Sequence, residues 1–473
     1  MWVELVVRSL LLGIRNQDDI EILRQRLASM PQKLEDLYLH LLSLIEPVYW
    51  VWASKAFQIV RAARELCTDK STDPIKRDAG STPLNISTFF FAMNENVHFS
   101  IEPNRTGLVE KVSSRSANTI TQESLPARCD AVKKHLTARC AGLLEVPRFE
   151  RDGPKAVIRF HHRTARDFLY DSGRWSQMSG YTNGMAFEPH KALLMASVSD
   201  LVIMTADRST RKLTIYNAAT NVMFYAHYTN THQIYNEMET PVLDILDRVM
   251  TGWTPDGDVG RSTEGVHWTY QMIGDCVNLR SNMRFWKLAT LYGLENYVNE
   301  KLGQLDRTCA AQISSKLLYL LLPSEAWPGR VRAPFERPEM VSTLLYHGAD
   351  PNLRHRRGPY QTSPWSNMFW YMRASKSPAS ATSDRLRPSF IQIMQLLVAA
   401  GADLNPMSNT NELYNSERMV SFYIANHFPD DSRQLLNEMV RQKRLREADE
   451  SELEENSPPR RTQCLVHVSE IVV

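Results

Sequence analysis

The segment Leu344-Leu345-Tyr346-His347-Gly348-Ala349-Asp350-Pro351-Asn352 recurs in degenerate form as Leu396-Leu397-Val398-Ala399-Ala400-Gly401-Ala402-Asp403-Leu404-Asn405. An internal repeat constrains a fold strongly, because each unit is too small to bury its own apolar face and must stack on a neighbour. Here two leucines close a helix and a glycine supplies the left-handed residue that ends it. The two glycines lie 53 residues apart. A Ser/Ala/Arg-rich stretch near Ala374–Arg387 accounts for much of that length and reads as a loop inserted between units. Upstream, Phe285–Leu302 reads as a more eroded unit, and Leu317–Leu322 as a further first helix. Three to four units are enough for a solenoid to bury a continuous core.

The repeated segment resembles the end of the second ankyrin helix and its β-turn, although the usual period is about 33 residues. The helix-starting Thr-Pro-Leu of that family survives only as Thr362-Ser363-Pro364-Trp365. The resemblance implies an extended concave surface for a protein ligand. Trp365, Trp370, Tyr371, Arg354, Arg356 and Arg357 are the candidate contacts, since they lie in or after the turn. For each aromatic the alternative is a place in the core.

Residues 1–62 read as three helices, and the opening Trp2–Leu12 run as a buried one. Pro83–Met93 reads as a helix or short strand packing Phe89, Phe90 and Phe91, and Cys129–Cys140 as a helix. A hairpin follows, from Gly142–Val146 through Asp152-Gly153-Pro154 to Ala156–Phe160. It runs into Phe160-His161-His162-Arg163-Thr164-Ala165-Arg166-Asp167-Phe168-Leu169. On physical grounds Thr164 caps the next helix, Asp167 lies in its first turn, and the two histidines point to opposite faces. Phe187-Glu188-Pro189-His190 opens another helix, with amphipathic segments after it at Asn217–His227 and Val242–Met250.

The order helix, hairpin, His-Arg-Thr helix resembles a winged helix. With Arg139–Val146, Phe187–His190 and the opening Trp2–Val7, it resembles the NACHT-type STAND NTPases of fungal innate immunity and self-recognition, including heterokaryon incompatibility. The resemblance implies that His162 occupies the position that contacts the β-phosphate of bound ADP. It also places the chain's start where the NTPase module ends, so His162 reads a nucleotide only if that module is supplied elsewhere.

The P-loop itself is missing from the sequence. The nearest spacing, Gly252–Gly257, is followed by Asp258 where lysine is required, and a carboxylate repels phosphate. There is no His-Glu-x-x-His, Gly-x-Ser-x-Gly or Gly-x-Gly-x-x-Gly. The 55 basic and 53 acidic residues nearly cancel, so bulk charge selects neither nucleic acid nor an acidic substrate. Six scattered cysteines without a Cys-x-x-Cys pair fit a reducing compartment. No span of the ~20 apolar residues needed to cross a bilayer occurs.

The expected fold is mainly α: a helical segment (1–62), a winged-helix-like subdomain (63–180), a helical linker (181–282), degenerate ankyrin-like repeats (283–428) and a charged tail (429–473). The expected function is non-enzymatic protein interaction in the cytoplasm. No cofactor, metal or membrane partner is expected, and an oligomer is open. The alternative is a winged-helix DNA binder using the basic helix 128–140, which carries Arg128, Lys133, Lys134, His135 and Arg139.

Overall fold

A computed structural model describes residues 2–28, 31, 33–68, 84–94, 124–147, 153–206, 210–231, 239–253, 267–269, 284–322, 337–357, 360–367 and 388–402, with isolated positions between 434 and 445. The chain divides into two compact units, one of residues 1–304 with 328–334, the other of residues 305–327 with 335–473. The described residues are mainly helical, with two small antiparallel hairpins.

Unit 1 opens with α1 (Trp2–Arg15), α2 (Ile20–Ala28) and α3 (Leu34–Ser43), followed by α4 (Trp50–Thr68). The opening run is a helix of its own, ahead of the three segments expected around Ile20–Leu27, Pro31–Ile45 and Ala53–Ala63. The break between the first two is a turn at Gln17, whose φ of 64° ends α1, with Asp18 N–H donating to the Gly13 carbonyl at 3.0 Å. The expectation of a buried first helix is also corrected. Val6 and Gly13 face inward, where a Cβ on Gly13 would meet Leu23 Cδ2 at 2.7 Å, but Val3, Val7, Leu11 and Ile14 are exposed.

The centre of unit 1 is α5 (Ile86–Met93), which is a helix because Asn85 caps it, accepting from Thr88 N–H at 2.7 Å. Its residues Ile86–Ala92 are all buried. They lie among α4, α6 (Leu125–Arg139) and α9 (Pro189–Ala206). Between α6 and α9 come β1 (Leu144–Glu145), β2 (Arg159–Phe160), α7 (Arg163–Leu169) and α8 (Ser172–Ser179). The two strands pair Leu144 with Phe160 and Glu145 with Arg159. A single bridge adds Asn85 opposite Val157, secured by Ile86 N–H to Ala156 O and Ile158 N–H to Leu84 O, both 2.9 Å. At the expected turn Asp152 falls outside the described residues, while Gly153–Lys155 form a short 3-10 helix in which Gly153 has φ 50°.

Helix α9 packs on α5, α4, α10 (Lys212–Thr231) and α11 (Glu239–Gly252). Unit 1 ends with α12 (Arg284–Leu291) and α13 (Glu295–Gly303), joined at Gly293 with φ 66°.

Unit 2 contains α14 (Arg307–Leu321), α15 (Pro338–Tyr346), β3 (His355–Arg357), β4 (Tyr360–Thr362) and α16 (Pro388–Ala399). Helix α14 packs on α15, and α15 on α16. The turns after α15 and α16 are superimposable in their bonding. Gly348 (φ 85°) donates to Leu345 O at 2.9 Å while Ala349 donates to Leu344 O at 3.0 Å. Gly401 (φ 88°) donates to Val398 O at 3.0 Å while Ala402 donates to Leu397 O at 2.9 Å. These paired bonds are the Schellman motif, which satisfies the last carbonyls of a helix. The same pair closes α12, from Gly293 to Thr290 and Leu294 to Ala289. Asn352 Nδ2 spans from one turn to the next, donating to Gly401 O at 2.8 Å.

Candidate functional site

His162 is the first candidate, and it lies at the N-terminus of α7. Its Nδ1 accepts from the Thr164 backbone N–H at 3.1 Å, so the ring itself caps the helix. The expected Thr164 hydroxyl cap is therefore corrected. The Thr164 hydroxyl instead lies 3.0 Å from His162 Nδ1 and 2.7 Å from the Tyr38 hydroxyl of α3. A backbone N–H can only donate, so Nδ1 is an unprotonated acceptor and the proton of the neutral ring sits on Nε2. Asp167 is one turn further along than expected, bonded to Arg163 and Arg166, which hold its carboxyl below the usual carboxylate range.

The two histidines do face opposite ways. His162 is exposed, whereas the His161 side chain is buried with Nδ1 2.6 Å from Glu145 Oε2 across the hairpin.

Behind α7 lies a second polar cluster. Arg61 of α4 bonds Glu65 at 2.9 Å, and its guanidinium stands over Trp175 at 4.2 Å and Tyr170 at 4.9 Å. Glu65 faces buried His190 at 3.5 Å, and His190 stacks on Tyr228 with ring centres 3.7 Å apart. The hydrogen bond from His190 is the main reason that the Glu65 carboxyl sits below its ordinary range. This network joins α4, α8, α9 and α10 at one point.

Deeper still, Asp200 of α9 is buried and bonded by neutral donors: Ser87 Oγ at 2.7 Å, Thr88 Oγ1 at 2.9 Å and Asn85 Nδ2 at 3.4 Å. Burial pushes its carboxyl above the ordinary range, against the pull of those donors. Burial likewise drives the Cys129 thiol up to about 12 and raises that of Cys140, so neither supplies a thiolate nucleophile near neutrality. Among the described residues no three His, Cys, Asp or Glu side chains are grouped to hold a metal, and no helix is long and apolar enough to cross a membrane.

The basic helix α6 spends much of its charge internally. Lys133 pairs with Asp130 at 3.2 Å, and Arg139 stands over Tyr49 and Trp52 at 5.0 and 5.2 Å. Arg128 and Lys134 remain exposed.

In unit 2 the candidate contacts separate. Trp365 is in the core, 1% exposed, with its backbone N–H bonded to Pro351 O at 3.1 Å, so it is corrected from a surface contact to a packing residue. It sits in a helical turn fixed by reciprocal bonds between Ser363 and Ser366, at 2.7 and 3.1 Å. That polar lock replaces the distorted Thr-Pro-Leu start. Arg354 is exposed; Arg356 and Arg357 are in β3; Trp370 and Tyr371 lie outside the described residues.

Sequence reasoning missed Tyr346, the last residue of α15, which is 85% exposed with its ring against His347. Leu353 is also exposed on the same turn. A tyrosine directly after the two helix-closing leucines was the available signal, because the third residue of that run faces away from the neighbouring helix.

Residues 44–212, more than a third of the chain, match the model of a family described as a domain of unknown function (DUF7791). The match runs from the end of α3 to the start of α10 and so contains α5, the hairpin, His162 and Asp200. No curated protein and no solved structure matches the chain.

Proposed function

We propose that this chain is a non-enzymatic interaction protein of the NACHT-type STAND class, in which unit 2 presents an ankyrin-like surface to a protein ligand. The observation that carries the reading is the pair of identically bonded glycine turns at Gly348 and Gly401, tied by Asn352. Successive units locked turn to turn are the way an ankyrin-like stack holds its loops in register. The exposed end of that stack carries Tyr346, Leu353 and Arg354, residue types among which tyrosine and arginine are frequent binding anchors.

Unit 1 supports the sensor half of the reading. The order α4, the Asn85–Val157 bridge, α5, α6, β1 and β2 resembles that of a winged helix and supports that reading. His162 follows that hairpin, exposed, with Nε2 as a donor suited to a phosphate oxygen. A nucleotide would have to come with an NTPase module supplied elsewhere.

The test is capture by the intact chain compared with a Tyr346→Ala, Arg354→Glu variant of unchanged melting temperature. The expected outcome is a ligand retained by the first and lost by the second. Equal retention by both would place the binding surface elsewhere.

A further inference from the structure

Between α11 and α12 stands the stretch His267-Trp268-Thr269, with Trp268 and Thr269 in a turn and all three residues buried. His267 Nδ1 lies 2.8 Å from the Thr269 hydroxyl and accepts from the Thr269 backbone N–H at 3.4 Å. That N–H can only donate, so Nδ1 is bare and the ring proton sits on Nε2. Nε2 faces Asp247 Oδ1 of α11 at 3.2 Å, with the Thr251 hydroxyl at 3.3 Å. Asp247 Oδ1 also accepts from Trp268 Nε1 at 2.7 Å, and the indole packs on Phe285 with ring centres 5.9 Å apart. Carboxylate, imidazole and hydroxyl thus follow one another as an orienting acid, a base and the nucleophile it activates. Thr269 is only 2% exposed, so its hydroxyl meets no substrate from outside. The carbonyl carbon that covalent geometry keeps within its reach is that of the preceding residue, Trp268.

We propose that the chain cuts its own Trp268–Thr269 peptide bond, an activity beyond the interaction reading and independent of it. The Thr269 hydroxyl oxygen attacks the Trp268 carbonyl carbon and gives its proton to His267 Nδ1. The same nitrogen also faces the Thr269 backbone nitrogen, so it returns that proton to the amine as the C–N bond breaks. The product is an ester between Trp268 and the Thr269 oxygen. Water then adds to the ester, leaving a carboxylate on Trp268, a free hydroxyl on Thr269 and one water consumed in all. The Asp247 side chain is 24% exposed and marks the side from which that water enters. The same spacing occurs at His162 and Thr164, with Nδ1 3.0 Å from the hydroxyl and 3.1 Å from the N–H. There the ring is exposed and the Arg163–Thr164 bond lies within α7, so that bond serves as an internal control. After the cut, α12 and α13 stay docked through Asn230 Nδ2 to Gly293 O at 3.1 Å and Lys301 to Asp244 at 2.6 Å. Cleavage therefore shows only on denaturation.

The experiment is a time course on the purified full chain at neutral pH, read by denaturing mass spectrometry and amino-terminal sequencing. The expected products are residues 1–268 and 269–473, the second beginning Thr269-Tyr270-Gln271, with Arg163–Thr164 intact. Added hydroxylamine is expected to hasten the cut and leave a hydroxamate on Trp268, which marks the ester. Thr269→Ala and His267→Ala are expected to stay whole, and Thr269→Ser to cleave. Thr269→Ala takes little from the fold beyond one hydroxyl, so its result stands even where His267→Ala unfolds. Asp247 is a positioning residue. Asp247→Asn is expected to move the pH at which the rate rises to lower values, a midpoint that a packing role would leave in place. A parent that stays whole with hydroxylamine present overturns the proposal. So does a cut at this bond in Thr269→Ala, which reports a foreign protease.

Discussion

A histidine can cap a helix or donate to an anion, and at His162 the cap decides which ring nitrogen is left for the second task that the proposed function gives it. The backbone N–H of Thr164 takes Nδ1, which fixes the neutral ring with its proton on Nε2. Nitrogen-resolved NMR of the ring is expected to report that tautomer; a proton on Nδ1 would remove the cap. Asp200 poses the opposite problem, a carboxylate held away from water by neutral donors alone among its hydrogen bonds. Its folded pKa is raised above the unfolded value of 3.8. The protonated form is thus favoured by folding: the contribution to stability is complete below that value and is lost as pH rises through the folded pKa. Glu65, lowered from 4.5, runs the other way, contributing above that value and losing its contribution as pH falls through the folded pKa. Asp200→Asn removes the first dependence only. In urea unfolding from pH 4 to 8, the stability of the variant relative to the parent should climb with pH. Parallel curves would mean that Asp200 is solvated after all.

At the scale of elements, what could be read in the sequence was whatever local spacing decides. The glycine turns were legible because a left-handed residue after two leucines has few other uses, and Gly348 and Gly401 adopt that conformation. Their cost to replace should differ. Alanine at Gly401 meets no neighbour and should cost about 1–2 kcal/mol for the backbone alone. Alanine at Gly348 also brings a Cβ to 3.1 Å from that of Ala311, adding roughly 1 kcal/mol. Chemical denaturation checks the order; equal losses would mean that α14 yields to the new methyl. The helix of Phe89–Phe91 was ambiguous in sequence because an apolar run of that length carries no period. Only Asn85, as cap, and burial on every side make it a helix. Trp365 was misplaced for the converse reason: its burial is set by the Ser363–Ser366 lock, a contact between side chains and backbone that no hydropathy pattern registers. His162 was found, but its role as cap was assigned to Thr164, since hydroxyls cap far more often than imidazoles.

For the whole molecule, the division into two units predicts separable responses. Trp365→Ala should cost about 3–5 kcal/mol within unit 2, a loss of the size seen when a buried aromatic is truncated. Hydrogen exchange should then quicken at the amides of α14, α15 and α16 and stay unchanged at those of α4, α5 and α9. Faster exchange in both sets would join the units into one cooperative body. Within unit 1 the burial of α5 has a consequence in time. Its phenylalanines need α9 to cover them, and α9 begins about 100 residues later in the chain. At ribosomal speeds of roughly 5–20 residues per second, the segment Phe89-Phe90-Phe91 is made and then waits on the order of 5–20 seconds for its cover. During synthesis it is an aromatic segment with no finished core to enter, so this stretch of the nascent chain stays uncovered until α9 emerges.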